Sequence, residues 1–285
     1  MANSKKAVTE IRRSKIILGL TGDEDIDQAL RTAVDSFWRV GRVVGEMPYE
    51  EALSEANGDD RTMVLYLDKM TSKVNLANTT FDNRGVAQTS WLPGASSASP
   101  ILTVSSGKRL KRDMKALIAL PIDEEMLVPT AAIYFGVAAL SDMCKTVSQA
   151  KKSGMAHYKE VLERRGRKLK TKTLYVLEDL LHKKMTSAAF TELYGFETEV
   201  VDFERWSEVV LSQEAGAAYA IVSPVPMGGS HVYAHYLVDA ENGQVLGVAH
   251  PKVAVALGPI NLSKSNSAEI NEKMAELYHE AAATR

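Results

Sequence analysis

The chain has 285 residues, room for one large domain or two of ordinary size, and its 45% hydrophobic and 25% charged content excludes a disordered or fibrous protein. Its 34 Lys and Arg nearly cancel its 36 Asp and Glu, so no overall field draws it to nucleic acid or anionic lipid. A single cysteine, Cys144, excludes an intramolecular disulfide framework and is expected to be a buried apolar residue.

The first half begins with a β-type segment at 15–20, followed by a helix at 23–38. Apolar residues recur at helical spacing in this helix, behind an acidic first turn: Ile26, Leu30, Ala33, Val34 and Phe37. A short strand near Val43, an acidic helix from Pro48 and a hydrophobic strand at 62–67 complete a β-α-β-α-β unit.

A segment rich in Ser, Ala, Gly and Pro follows at 85–107, and its composition predicts an extended loop. Trp91 lies in this segment and is the aromatic residue we expect to contact a partner. A strand at 115–121 and an apolar helix up to Val147 close the half. The apolar stretch 127–140 is interrupted by Pro129 and is too short to span a membrane.

A basic helical linker is predicted at 151–171, between a first domain at 1–150 and a second at 172–285. Its positive charges could contact phosphate, but Glu160 and Glu163 interrupt them and Tyr158 is the one aromatic residue among them. We therefore expect a solvated linker and no nucleic-acid partner.

The second half repeats the order of the first. A strand at 172–177, a helix up to Tyr194, a strand at 199–202, a helix from Phe203 and a strand at 218–222 match the first unit in pattern although few residues are identical. In each half a hairpin region and a closing strand–helix follow. The sequence therefore predicts a mixed α/β protein of two related units that arose by internal duplication.

The strongest local signal is a β-hairpin at 231–250, where Asn242-Gly243 separates two alternating runs. Alternation assigns Val232, Ala234, Tyr236 and Val238 to the core face, and His231, Tyr233, His235 and Asp239 to an outer face. With a loop of two or four residues His250 would join them there, directly across from His235 in the two-residue register. A three-residue loop would place it on the core face.

These histidines define two hypotheses. Either they are polar residues of an outer surface, or they form a metal or acid–base centre. For a metal centre, the sequence identifies no third ligand. On the first hypothesis, replacing His235 with Gln should change stability by no more than about 0.5 kcal/mol. We favour it, and expect no bound metal or other cofactor.

The segment 172–222, followed by Ala-His-Tyr-Leu-Val-Asp-Ala-Glu-Asn-Gly-Gln-Val-Leu-Gly at 234–247, resembles uncharacterised exported proteins of Bacteroidetes. In those proteins a similar strand–helix unit precedes a hairpin with an Asp-x-x-x-Gly turn. The resemblance implies a periplasmic location and a cleaved signal peptide, although residues 1–14 lack the apolar core of such a peptide. It implies no activity.

Two functions of different class remain. The first is a non-catalytic binding or assembly protein of the cell envelope, with a protein or glycan partner and no membrane span. The second is a hydrolase or metal-dependent enzyme built on His231, His235 and His250. The candidate binding residues are His231, Tyr233, His235, His250 and Trp91. We expect the first function, outside the cytoplasm, with a cytoplasmic protein as the alternative.

Overall fold

The structure is a computed structural model, and it describes residues 5–57, 59, 61–81, 87–106, 114–121, 128–150, 154–227, 230–249 and 267–283. Within these ranges the chain forms two five-stranded mixed sheets with helices packed on them. The predicted α/β class is confirmed.

Strands of the first half form one sheet and those of the second half form the other. The strands are β1 Lys15–Leu20, β2 Arg42–Pro48, β3 Thr62–Phe81, β4 Ala87–Ser105, β5 Met114–Ala119, β6 Thr173–Leu177, β7 Thr198–Val201, β8 Ala217–Met227, β9 Ser230–Asp239 and β10 Val245–Ala249. The helices are α1 Lys5–Arg13, α2 Glu24–Phe37, α3 Tyr49–Ala56, α4 Thr130–Ser148, α5 Gly154–Arg165, α6 Ser187–Tyr194, α7 Phe203–Leu211 and α8 Glu272–Ala283. Two 3₁₀ segments, Gly166–Thr171 and Glu178–Leu180, flank β6.

The two sheets have the same topology. The first has the order β2-β1-β3-β4-β5, and the second, written from β7, has the order β7-β6-β8-β9-β10. In both, the first strand pairs in parallel with two neighbours and the last two pairings are antiparallel. The two units that repeat along the chain thus also share their strand order in space, which supports an internal duplication.

Local capping signals place the helix starts. Asp23 precedes α2 and its carboxylate accepts hydrogen bonds from the backbone N–H groups of Asp25 and Ile26. Asp202 caps α7 through the N–H of Arg205, and the Thr186 hydroxyl caps α6 through Ala189. These side chains satisfy helix N–H groups that have no partner within the helix, so the sequence itself specifies where the helices begin.

The halves stack through one shared core. Helix α4 has fifteen buried residues, because it contacts α2 and the first sheet as well as α7 and β10 of the second half. The central pair of the second sheet, Tyr175 and Tyr219, belongs to this core. The equivalent pair of the first sheet, Ile17 and Val64, packs in a smaller cluster beneath α3. The two predicted domains therefore share much of their hydrophobic interior.

The buried position of Cys144 in α4 agrees with its expected role as an apolar core residue. Its side chain is fully buried, and this burial raises the pKa of the thiol to about 12. The thiol is therefore protonated at neutral pH, the unreactive form.

The prediction of a loop at 85–107 is wrong, because most of this segment is a strand. Residues 87–105 form β4, which pairs antiparallel with β3 along nearly its whole length, and β3 continues to Phe81 beyond the predicted end at Leu67. Small residues and prolines hide a strand from composition because β-propensity depends on the neighbouring strand more than on the residue itself.

The predicted linker at 151–171 is helical, comprising α5 and the 3₁₀ segment, but it is not merely solvated. Tyr158 is buried in the shared core, and Arg165 forms an ion pair with Asp142 of α4. Arg164, Arg167 and Lys168 are exposed. The segment thus packs between the halves and presents only part of its basic charge to solvent.

The Asn242-Gly243 turn predicted from sequence is confirmed, and it contacts the first half. Gly243 has a φ of +66°, and a Cβ added there would overlap the Cβ of Ala138 and approach the Phe37 ring within 3.1 Å. Gly243→Ala should therefore lower the free energy of unfolding by about 2–4 kcal/mol, through backbone strain and overpacking together. Urea unfolding measures this.

Gly22→Ala provides the matched control, because Gly22 has a φ of +88° with no atom within 4 Å of an added Cβ. It should cost about 1 kcal/mol from strain alone. Equal losses for the two variants would contradict the contact between the turn and α4.

Candidate functional site

His235 lies in the interior of the second half, not on an outer face. It is fully buried in β9 against α8, and its Nδ1 lies 2.9 Å from the Tyr278 hydroxyl, its Nε2 2.9 Å from the Ser267 carbonyl. Because a carbonyl can only accept, Nε2 carries the proton, and Nδ1 accepts from Tyr278. Both ring nitrogens are therefore engaged, and neither is available to a metal.

Burial governs the titration of His235. Desolvation lowers its pKa to about 4, and the hydrogen bond to the Ser267 carbonyl opposes this only in part. The imidazole is thus neutral at physiological pH. The predicted outer face is wrong because α8 covers the side of the sheet that strand alternation alone assigned to solvent.

The hairpin register also differs from the two-residue form. Ala249, rather than residue 250, lies opposite His235. The loop is longer than two residues, because Val238 already pairs with Val245 and the N–H of Asp239 bonds to the Gln244 carbonyl; an irregularity between Val245 and Gly247 then moves the pairing by one residue. His250 itself lies outside the described residues. The buried Asp239 ends β9 and pairs with Lys172 at 3.0 Å, so this second residue of the expected outer face is internal as well.

His231 and Tyr233 lie further along β9 and are half-buried, with ring centroids 6.1 Å apart. The Nε2 of His231 donates to the carbonyl of Ala98 in β4, at 3.1 Å. Four residues of strand, about 13 Å, separate His231 from His235. The structure thus does not bring these two histidines together, and it assigns His231 a contact between the hairpins of the two halves.

The first hairpin extends far beyond its sheet. Strand β1 pairs with β3 only up to Tyr66, and β5 pairs with β4 only from Ile101 onward. From Leu67 to Phe81, β4 is the only strand in the described part of the chain that pairs with β3, and the two form a two-stranded ribbon about 50 Å long. Trp91 lies in this ribbon, opposite Ala77. We call residues 67–81 and 87–100 the β-ribbon.

The outer edge of β4 is partly occupied. The carbonyl of Pro100 accepts from the N–H of Leu120, and that of Ala98 accepts from His231, so these residues face away from β3. Continuing the pairing places Pro93 on the same edge, where proline lacks an N–H. Strand β8 also contacts β3 and β4. This edge is therefore poorly suited to a further strand.

The outer edge of β3, in contrast to that of β4, is well suited to pairing with a further strand. Thr71 and Lys69 lie opposite Ala98 and Pro100 and therefore also face outward. The register shifts between Lys73 and Asn75, where the extra residue is on β4, so β3 keeps its alternation and every second residue onward to Phe81 presents its N–H and C=O on the free side. Residues 74–81, Val-Asn-Leu-Ala-Asn-Thr-Thr-Phe, contain no charge, proline or glycine. Within the described part of the chain, no strand pairs with this edge.

A shallow cleft at the amino ends of β1 and β2 is a weaker candidate. Lys15, Arg42, Glu55 and Asp59 line it, so its charges largely compensate one another. Asp59 accepts hydrogen bonds from the N–H of Arg61 and the hydroxyl of Thr62, which hold the pKa of its carboxyl below the usual range. That carboxylate therefore stabilises the turn before β3.

Comparisons with known proteins found no family model, curated protein or solved structure that matches this chain. The resemblance to exported Bacteroidetes proteins stays a prediction. Across the described ranges, no helix has the length and apolar character needed to cross a bilayer. In the same ranges no three His, Cys, Asp or Glu side chains form a group that could hold a metal ion.

Sequence reasoning missed the β-ribbon as a structural element. The available signal was the absence of charge across 74–81 together with the longer segment that separates the third strand of the first half from its closing strand. Both point to an extended hairpin, whereas the predicted loop accounted only for the excess length.

Proposed function

We propose that the protein is a non-catalytic assembly protein that engages a partner polypeptide through the β-ribbon. The observation that supports this most directly is the outer edge of β3, a run of N–H and C=O groups without a neighbouring strand in the described chain. Proteins normally shield such edges with charges, proline or short strands, and residues 74–81 contain neither charge nor proline.

A polypeptide fits this edge better than a glycan. Strand addition supplies main-chain hydrogen bonds along the whole edge, and a glycan cannot reproduce their alternating pattern of donors and acceptors. The rigid two-sheet body would then hold the β-ribbon in place. His231 fixes the ribbon base through Ala98, in a contact between the two halves.

A photo-crosslinking amino acid placed at Thr79, on the outer edge of β3, tests this function in the producing cell. We expect a covalent adduct heavier than the chain. The same group at Glu276, which is exposed on α8, is the control and should give none. Absence of an adduct from position 79, or the same adduct from both positions, would overturn the proposal.

We further propose an extracytoplasmic, periplasmic location, on the resemblance to exported proteins described above. The alternative is a cytoplasmic protein. Fractionation of the producing cells separates the two, since recovery of the chain with cytoplasmic markers would contradict export.

A further inference from the structure

The partner of the β-ribbon follows from the edge that it leaves open. We propose that the outer edge of β3 pairs antiparallel with the same edge of a second copy of this chain, giving a homodimer with a twofold axis through the middle of the paired segment. This inference rests on the proposed assembly function and names its partner.

The β3 edge is self-complementary. An antiparallel pairing centred on Ala77 sets residue 73 opposite residue 81 and residue 75 opposite residue 79 of the partner subunit. Five residues of each strand then face the partner, and because none is proline they form about ten hydrogen bonds over about 30 Å. A typical protein–protein interface has a similar number of hydrogen bonds.

Charge does not oppose this pairing. The acidic and basic residues of β3, Asp68, Lys69 and Lys73, lie toward the ribbon base, and in this register Lys73 faces Phe81 of the partner subunit. Like charges therefore do not meet across the axis, where they would destabilise the pair.

The geometry of the β-ribbon favours the same partner. A two-stranded hairpin is only marginally stable in water, whereas three or more strands are needed for independent stability. Pairing two copies converts two ribbons into one four-stranded sheet. Within one chain, the hairpins of the two halves already contact each other, β4 with β8 and β9. The dimer adds a further strand at the edge that the described chain leaves open, and closed twofold contacts are the commonest in homo-oligomers.

Two proline substitutions test the proposal on the full chain. Ala77→Pro removes an outward N–H at the centre of the β3 edge, and Thr89→Pro removes an outward N–H from the β4 edge as its matched control. Neither N–H bonds to the other strand of the ribbon. Both variants should therefore keep the circular dichroism spectrum of the parent chain.

Sedimentation equilibrium of all three proteins gives the decisive measurement. We expect the parent chain and Thr89→Pro to reach twice the 31.2 kDa chain mass, and Ala77→Pro to raise the dimer dissociation constant about tenfold or more. A monomeric parent chain, or equal effects of the two prolines, would overturn the homodimer. If the parent chain is monomeric and the crosslinker at position 79 forms an adduct with a different protein, the homodimer is wrong but the proposed assembly function still holds.

Discussion

Arg165→Ala should lower the free energy of unfolding by about 3–5 kcal/mol at pH 7. Arg165 is nearly buried between the halves, where its guanidinium lies 2.6 Å from the Asp142 carboxylate and donates to the Val245 carbonyl and the Thr146 hydroxyl. Removing it leaves the Asp142 charge buried without its partner. Chemical denaturation of the purified protein measures the loss.

Arg164→Ala is the matched control, because Arg164 neighbours Arg165 in α5 but is exposed. It should change stability by no more than about 0.5 kcal/mol. Similar losses for the two alanine variants would show that Arg165 acts only as a surface charge.

The same pair gives a pH dependence. Burial raises the pKa of Asp142 above its ordinary value, and Arg165 opposes this shift. Without Arg165 the pKa should rise further, so the folded variant takes up a proton at higher pH than the unfolded chain does. The deficit of Arg165→Ala should therefore shrink as the pH falls below neutral, and a constant deficit would contradict a buried, unpaired carboxylate.

His235→Ala should lower the free energy of unfolding by about 3 kcal/mol at pH 7. The substitution opens a cavity beneath α8 and leaves the Tyr278 hydroxyl and the Ser267 carbonyl without the hydrogen bonds that they now form. His157→Ala, at a partly exposed residue of α5, is the control and should fall within about 0.5 kcal/mol.

The effect of His235 should also depend on pH. Its pKa is about 4 in the folded protein and near 6.5 in the unfolded chain, so the unfolded state binds more protons between these values. The contribution of His235 to the stability of the parent chain is therefore fully present above about pH 6.5. About 3 kcal/mol of it is lost as the pH approaches 4. His235→Ala lacks this dependence, so its deficit should nearly vanish at pH 4. A deficit independent of pH would show that the histidine titrates normally.

Strand alternation predicted that His235 lies on an outer face, whereas the structure buries it. Alternation separates the two faces of β9 correctly, with Tyr236 and Val238 in the shared core. It cannot tell whether the opposite face meets water or another helix. Helix α8 comes from a segment some 40 residues later in the chain, and it decides that His235 is buried.

The sequence by itself determined the elements that depend on neighbouring residues. Helix starts followed from caps such as Asp23 and Asp202, and the β9–β10 turn followed from Asn242-Gly243, because a side-chain oxygen or a positive φ acts within a few residues. The repeated order of strands and helices could be predicted for the same reason, since hydrophobic periodicity is a local property.

Only the tertiary structure decided which surfaces meet. It placed Gly243 against Ala138 and Arg165 against Asp142, contacts that leave no local signal in the chain. The physical reason is that burial and strand pairing depend on residues distant in sequence: a segment of small residues becomes a strand when a long neighbouring strand pairs with it, and a polar side chain becomes internal when a helix covers it.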